Sequence, residues 1–176
     1  MTKMLKKALA NILTENESQQ LISAFDQIGS IIIVRIPDSL ISKKKIIGET
    51  LLEQVKTTKS VFSQSSPVEG DFRTRNLEII AGEDRTETEY KESGCTFIVD
   101  VEKAFFSPRL STERERISNL ISDNEIVINM FGGIGMFSIL AAKKKSCTVY
   151  NIDTVSYTHL RAHETLRYLV WRRRGE

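Results

Sequence analysis

Glu125-Ile-Val-Ile-Asn-Met-Phe-Gly-Gly-Ile-Gly-Met-Phe-Ser-Ile-Leu-Ala-Ala-Lys-Lys144, followed by Cys147-Thr-Val-Tyr-Asn-Ile-Asp153, decides the fold. The first seven residues read as a strand, because β-branched residues suit a pleated backbone. A glycine run, 132–135, follows at once. Residues 137–144 then read as a helix, and 147–153 as a second strand ending in a carboxylate. Strand, glycine turn, helix, strand and acid, in that order, make the first half of a nucleotide-binding α/β unit.

Each part has a physical role. Glycine lets the backbone turn tightly and lets a ligand approach without a Cβ in the way. The helix behind the turn offers unpaired N–H groups at its start. An acid at the end of the second strand can accept hydrogen bonds from both ribose hydroxyls. The run lacks the Lys-Ser/Thr of a phosphate-cradling loop. Gly132-Gly-Ile-Gly is also not Gly-x-Gly-x-x-Gly, which weakens the dinucleotide case. A ribose acid with no phosphate to hold suits S-adenosylmethionine. The bland alternative is a tight strand–helix turn of any α/β domain.

Upstream, Phe106-Ser-Pro-Arg-Leu reads as a loop, and a helix runs from Ser111 to about Ile121. Ser111 is placed to cap that helix, and Glu113 falls in the first turn, where the dipole favours an acid.

Residues 1–103 read as a separate module. Leu21, Ile22, Phe25 and Ile28 lie at helical spacing, so 16–28 is expected to be an amphipathic helix closed by Gly29. Ile31-Ile-Ile-Val-Arg-Ile is a buried strand that ends at Pro37. Ser39 is expected to cap a second helix running to about Val55, with Lys43-Lys-Lys on its wet side. Ser60-Val-Phe-Ser is a short strand, 63–70 a loop, and 73–81, 86–92 and 96–101 are three strand-like runs. The expected architecture is a meander packed with two helices, an α+β module. Arg73 and Arg75 fall on one side of a strand. Two adjacent guanidinium groups favour an anion or an RNA backbone between them, and the bland alternative is two solvated arginines.

Composition narrows the classes. The chain has 176 residues, 40% of them hydrophobic, with nine Gly and three Pro, which argues against a low-complexity chain. Cys95 and Cys147 cannot alone build a disulfide framework or a zinc finger, so no metal is expected and a reducing, cytoplasmic setting fits. The apolar runs are too short to span a bilayer, and no membrane partner is expected. Residues 155–176 hold five Arg against two Glu, both histidines and the only Trp, while the rest carries 20 basic and 21 acidic residues. A basic arm is one reading of that tail. The preferred reading is foreign sequence: Val155-Ser-Tyr-Thr-His-Leu-Arg-Ala-His-Glu-Thr looks like a translated sequencing adapter, and 155–176 is set aside as non-native.

Four blocks carry a family resemblance. They are Ile28-Gly-Ser-Ile-Ile-Ile-Val-Arg-Ile-Pro, Phe72-Arg-Thr-Arg with Ile80-Ala-Gly-Glu, Val99-Asp-Val with Phe105-Phe-Ser-Pro-Arg-Leu-Ser-Thr-Glu-Arg, and Asn129-Met-Phe-Gly-Gly-Ile-Gly-Met-Phe. In order and spacing the chain resembles the archaeal/eukaryotic tRNA (guanine(37)-N1)-methyltransferases. The resemblance implies methyl transfer from S-adenosylmethionine to N1 of the guanine 3′ of the anticodon. It implies a small α+β RNA-contacting domain, 1–103, and the start of a Rossmann-like methyltransferase domain, 104–154. By that likeness Glu113 is the general base and Arg73 steadies the target guanine. Arg114, Asn129, Phe131, Gly133, Gly135 and Asp153 fall at the cofactor, and Arg75 and Arg109 at the RNA. The implied partner is the tRNA anticodon stem-loop, with no DNA, and a monomer is expected.

The chain departs from the family loop, usually Asp-Met-Phe-Ala-Gly-Val-Gly-Pro-Phe. Asn129 stands for Asp, Gly132 for Ala and Met136 for Pro. The family's further N-terminal domain and the later strands of the catalytic sheet have no counterpart, so the chain is expected to be a fragment, inactive and poorly stable by itself. Two alternatives stand beside this reading: an S-adenosylmethionine-dependent aminocarboxypropyl transferase of the same tRNA position, and a non-catalytic RNA-binding module.

Overall fold

The computed structural model describes residues 9, 13, 14, 16, 17, 25–64, 76–104, 106–153 and 169–173. The chain divides into two compact units, 1–88 with 101–103, and 89–100 with 104–176. Residues 89–100 thus group with the second unit, and 101–103 with the first.

In the first unit a four-stranded sheet has the order β1-β2-β3-β4, from Phe25–Ile28, Ile31–Val34, Ser60–Gln64 and Leu77–Gly82. Here the sequence reading needs correction. Phe25-Asp-Gln-Ile is a strand, not the end of a helix; among the described residues of the expected helix Asn16 and Glu17 are helical, and 18–24 lie outside the described residues. Ile28 faces Ile31 across a two-residue turn, and Gly29, at φ 54°, supplies the left-handed backbone of a hairpin turn. Spacing of three between two apolar residues fits a helix, but so short a run does not separate the two periods.

β2 is buried at every residue. It runs parallel to β3, and the crossover holds a 3-10 turn, Asp38–Lys43, and helix α1, Lys44–Gln54. Ser39 therefore sits inside the 3-10 turn rather than capping the helix. Leu9, Leu13, Ile32, Val34, Leu40, Ile47, Leu51, Val61 and Ile80 form one buried cluster between α1 and the sheet. Such two-sided burial explains an unbroken β-branched run. The expected meander is also corrected. β4 pairs antiparallel with β3, whereas β5, Glu87–Glu92, and β6, Cys95–Asp100, form a two-stranded sheet of their own.

In the second unit, a 3-10 turn, Pro108–Leu110, leads into helix α2, Ser111–Leu120. Leu110 is its cap residue and makes no side-chain capping bond, so Ser111 is already helical. β7, Ile126–Met130, helix α3, Met136–Lys144, and β8, Thr148–Asp153, follow as the sequence predicts. β7 and β8 are parallel in register, with Asn129 opposite Asn151. A third parallel strand, β9, Leu169–Arg173, pairs with β8 inside the segment that the sequence reading sets aside. Ile121, Ala141, Cys147 and Val149 form the buried cluster of this unit. Among the described residues no helix is long and apolar enough to cross a membrane.

Candidate cofactor site

The turn between β7 and α3 is built from left-handed residues: Phe131 at φ 62°, Gly133 at 53° and Gly135 at 77°. The last two cost nothing as glycine, but Phe131 adopts a conformation rare for a bulky side chain. Backbone strain of this kind concentrates where a ligand is handled. Phe131 also exposes 77% of its surface.

Three hydrogen bonds hold the turn. The Gly132 N–H donates to the Ile152 carbonyl at 3.0 Å, and the Gly135 N–H to the Gly132 carbonyl at 2.9 Å. The Gly133 N–H donates to Asp153 Oδ2 at 2.7 Å. The acid at the end of β8 thus meets the turn after β7, as parallel register requires. A side chain at 133 would project into open space, with nothing within 4 Å. The result is a bare backbone cradle beside a half-buried carboxylate and the N-terminus of α3. That donor set fits a nucleoside: the carboxylate suits ribose hydroxyls, and the cradle admits close backbone approach.

Asn129 sits at the base of this turn. Its side-chain nitrogen donates to Ser138 Oγ and to Asn151 Oδ1, both at 2.9 Å. Ser138 Oγ also donates to Asn151 Oδ1, at 2.6 Å. Asn129, Phe131, Gly133, Gly135 and Asp153 therefore lie in one continuous structure. Ser138 and Asn151 belong to it too, and sequence reasoning missed both. Period-two alternation puts Asn151 on the strand face of Asp153, but its place opposite Asn129 is set by the strand register.

Around the start of α2 the picture is different. Arg114 is only 2% exposed. Its Nε and Nη2 donate to the two carboxylate oxygens of Glu92, each at 2.6 Å, and Nη1 donates to the Ser107 carbonyl at 3.2 Å. The guanidinium lies 5.6 Å from the centroid of Phe106, whose ring packs edge-on against Tyr90. The Tyr90 hydroxyl donates to Glu92 Oε2 at 2.9 Å. Burial, and then the hydrogen bond to Glu92 and its charge, push the Tyr90 hydroxyl up to about 12. Arg114 therefore anchors the loop that enters α2. Glu92, its partner, was not singled out in the sequence, where it looks like one more charge on a wet strand.

Glu113 is half-exposed, and Arg116 grips both its oxygens, at 2.7 and 2.8 Å. Hydrogen bonding from Arg116 holds its carboxyl below the usual carboxylate range. Arg109 is exposed in the 3-10 turn before α2. Arg73 and Arg75 lie outside the described residues.

A parallel β–α–β unit with a glycine turn and a strand-end acid defines the class of Rossmann-like nucleotide-binding domains. Comparison with known proteins narrows it. Residues 88–167 match the TRM5/TYW2 methyltransferase domain, and residues 5–86 the TYW2 N-terminal domain. The chain carries a TRM5/TYW2 methyltransferase domain at residues 88–167. It is 47% identical over 122 residues to the tRNA (guanine(37)-N(1))-methyltransferase Trm5b of Pyrococcus abyssi, covering 69% of this chain and 37% of that one. It is similar to the aTrm5 chain solved in complex with tRNALeu, with a TM-score of 0.78 and 36% identity, covering 89% of this chain and 47% of that one. It also resembles the TYW2 of P. horikoshii solved with MeSAdo, with a TM-score of 0.68 and 28% identity, over 90% and 55% of the two chains. The chain thus spans about half or less of the length of these relatives.

Proposed function

We propose that this chain carries the RNA-contacting and S-adenosylmethionine-binding parts of a cytoplasmic, monomeric tRNA (guanine(37)-N1)-methyltransferase. The observation that carries the reading is the Gly133–Asp153 contact, which sets a ribose acid against an open glycine cradle. S-adenosylmethionine, when bound, supplies the methyl group on a sulfonium that leaves readily.

The protein's own residues have the remaining work. Gly133, Gly135 and the start of α3 receive the nucleoside, and Asp153 accepts from its sugar. Guanine N1 carries a proton at neutral pH and is a poor nucleophile until that proton leaves. Glu113 takes it as the new N–C bond forms. Its lowered pKa keeps it ionised at neutral pH, and Arg116 must release at least one oxygen for the transfer. Arg73 stabilises the negative charge that develops on guanine O6. Arg114, by holding the Ser107 carbonyl, fixes the approach to the helix that presents Glu113. Arg75 and Arg109 contact the anticodon stem-loop through phosphates.

A second reading keeps the site and changes the group moved to an aminocarboxypropyl. The match of residues 5–86 to the TYW2 N-terminal domain favours it. The higher identity to Trm5b, 47%, favours methyl transfer. The test is a chimera in which residues 21–153 replace the matching segment of the Pyrococcus abyssi enzyme. It is incubated with a tRNA transcript and S-adenosylmethionine labelled in the methyl group. Methyl label on guanine 37, absent from a transcript with adenine there, is expected. A folded chimera that adds an aminocarboxypropyl, or nothing, overturns the proposal. The 176-residue chain alone is expected to leave the transcript unlabelled.

A further inference from the structure

We propose that Asn151 is a positioning residue of the cofactor turn, size-matched to Gly132, so that residue 132 can carry a side chain only if residue 151 gives up its own. Asn151 is fully buried on β8, directly opposite Asn129. Its Oδ1 receives Asn129 Nδ2 and Ser138 Oγ, so one side chain ties the end of β7, the first turn of α3 and β8 together. Its Nδ2 is buried without a partner among the described residues. Leaving a buried donor unmet is costly, so hydrogen bonding alone does not account for an amide here. Volume does. A methyl group on residue 132 would overlap Asn151 Oδ1 and come within 2.6 Å of Cγ and 2.7 Å of Nδ2. The amide is pinned on two sides and has no solvent to swing into. It therefore fills the space a side chain at 132 would take, and supports the turn from beneath.

The same side chain meets residue 129 as well as residue 132. An alanine at 132 is excluded while Asn151 is present. The amide at 129 donates where a carboxylate would set its oxygens against Asn151 Oδ1.

This deepens the cofactor-site reading, and rests on it for the purpose of the turn, but its test needs no ligand. Amide hydrogen exchange is measured on the full chain with Asn151→Ala and with Asn151→Ser. Exchange at Gly132 and Gly133 is expected to rise about ten-fold, as two supporting hydrogen bonds are lost, while β2 amides stay unchanged. Equal acceleration throughout the chain, or none at the two glycines, overturns the positioning role. In parallel, the melting temperatures of Gly132→Ala, Asn151→Ala and the double variant are compared. Gly132→Ala is expected to melt well below the parent or fail to fold, and the double variant to recover most of the loss. Shifts that simply add, or a double variant that stays unfolded, overturn the size match. Failure to bind S-adenosylmethionine would strike the functional reading and leave this result untouched.

Discussion

β2 and β7 have nearly the same apolar content and opposite surroundings. Ile31-Ile-Ile-Val is buried at all four residues, with a strand on each edge and α1 contributing Ile47 and Leu51 to the cluster that holds Ile32 and Val34. Ile126-Val-Ile-Asn-Met is an edge strand. Val127 packs on the cluster beneath, whereas Ile126, Ile128 and Met130 are 72%, 61% and 65% exposed. An apolar run says that a strand has the means to be buried on two faces. Only a covering element makes it so.

If cover sets the energetics, the largest loss should come where a charge is sealed in. Arg114→Met strands Glu92 in a nearly closed site, and is expected to destabilise the second unit by about 3–5 kcal/mol in a denaturant titration. A loss below about 1 kcal/mol would mean that water reaches the pair, as at an exposed bridge.

The same substitution in each strand sharpens the contrast. Ile32→Val, at a fully buried position, is expected to cost about 1 kcal/mol. Ile128→Val should stay within about 0.5 kcal/mol of the parent. Equal losses would show that β7 is covered in solution.

Two smaller effects are read by pH. The raised Tyr90 pKa means that the folded protein keeps a proton the unfolded chain has lost. Its contribution is complete below the unfolded value of about 10 and falls away as pH rises toward about 12. Phenolate absorbance should therefore show one late-titrating group, missing in Tyr90→Phe. Glu113 has the opposite sign: its lowered pKa gives a contribution present above the ordinary carboxylate range and lost as pH falls through the folded value. Arg116→Met should return that pKa toward its usual value and move the acid limb of the chimera's pH–rate profile upward. An unmoved limb would detach Glu113 from the proton transfer.

Residues 111–153 were the more legible in sequence, because their elements announce themselves locally. A β-branched run, three glycines, an apolar helix and a strand-end acid leave few arrangements open. Residues 25–101 depended on partners distant in sequence. Residues 25–28 have a helical spacing, yet Ile31 turns them into a hairpin. Residues 86–101 carry strand patterning but nothing that says they pair with each other and not with β4. The site divides in the same way. Gly133 and Asp153 were readable from type and spacing. The burial of Arg114 depends on Glu92, 22 residues away, and no local pattern discloses it. Asn151 was overlooked because an asparagine in a strand has no motif of its own.

The central claim is that the glycine cradle and Asp153 hold the adenosyl group. Calorimetric titration of S-adenosylhomocysteine into the chimera, with and without Asp153→Ala, tests it most directly. The account predicts saturable binding by the parent chimera. In the variant it predicts affinity weakened at least about ten-fold, since a hydrogen bond to a charged group contributes about 1.5–3 kcal/mol. Unchanged affinity in a variant that still folds would contradict it.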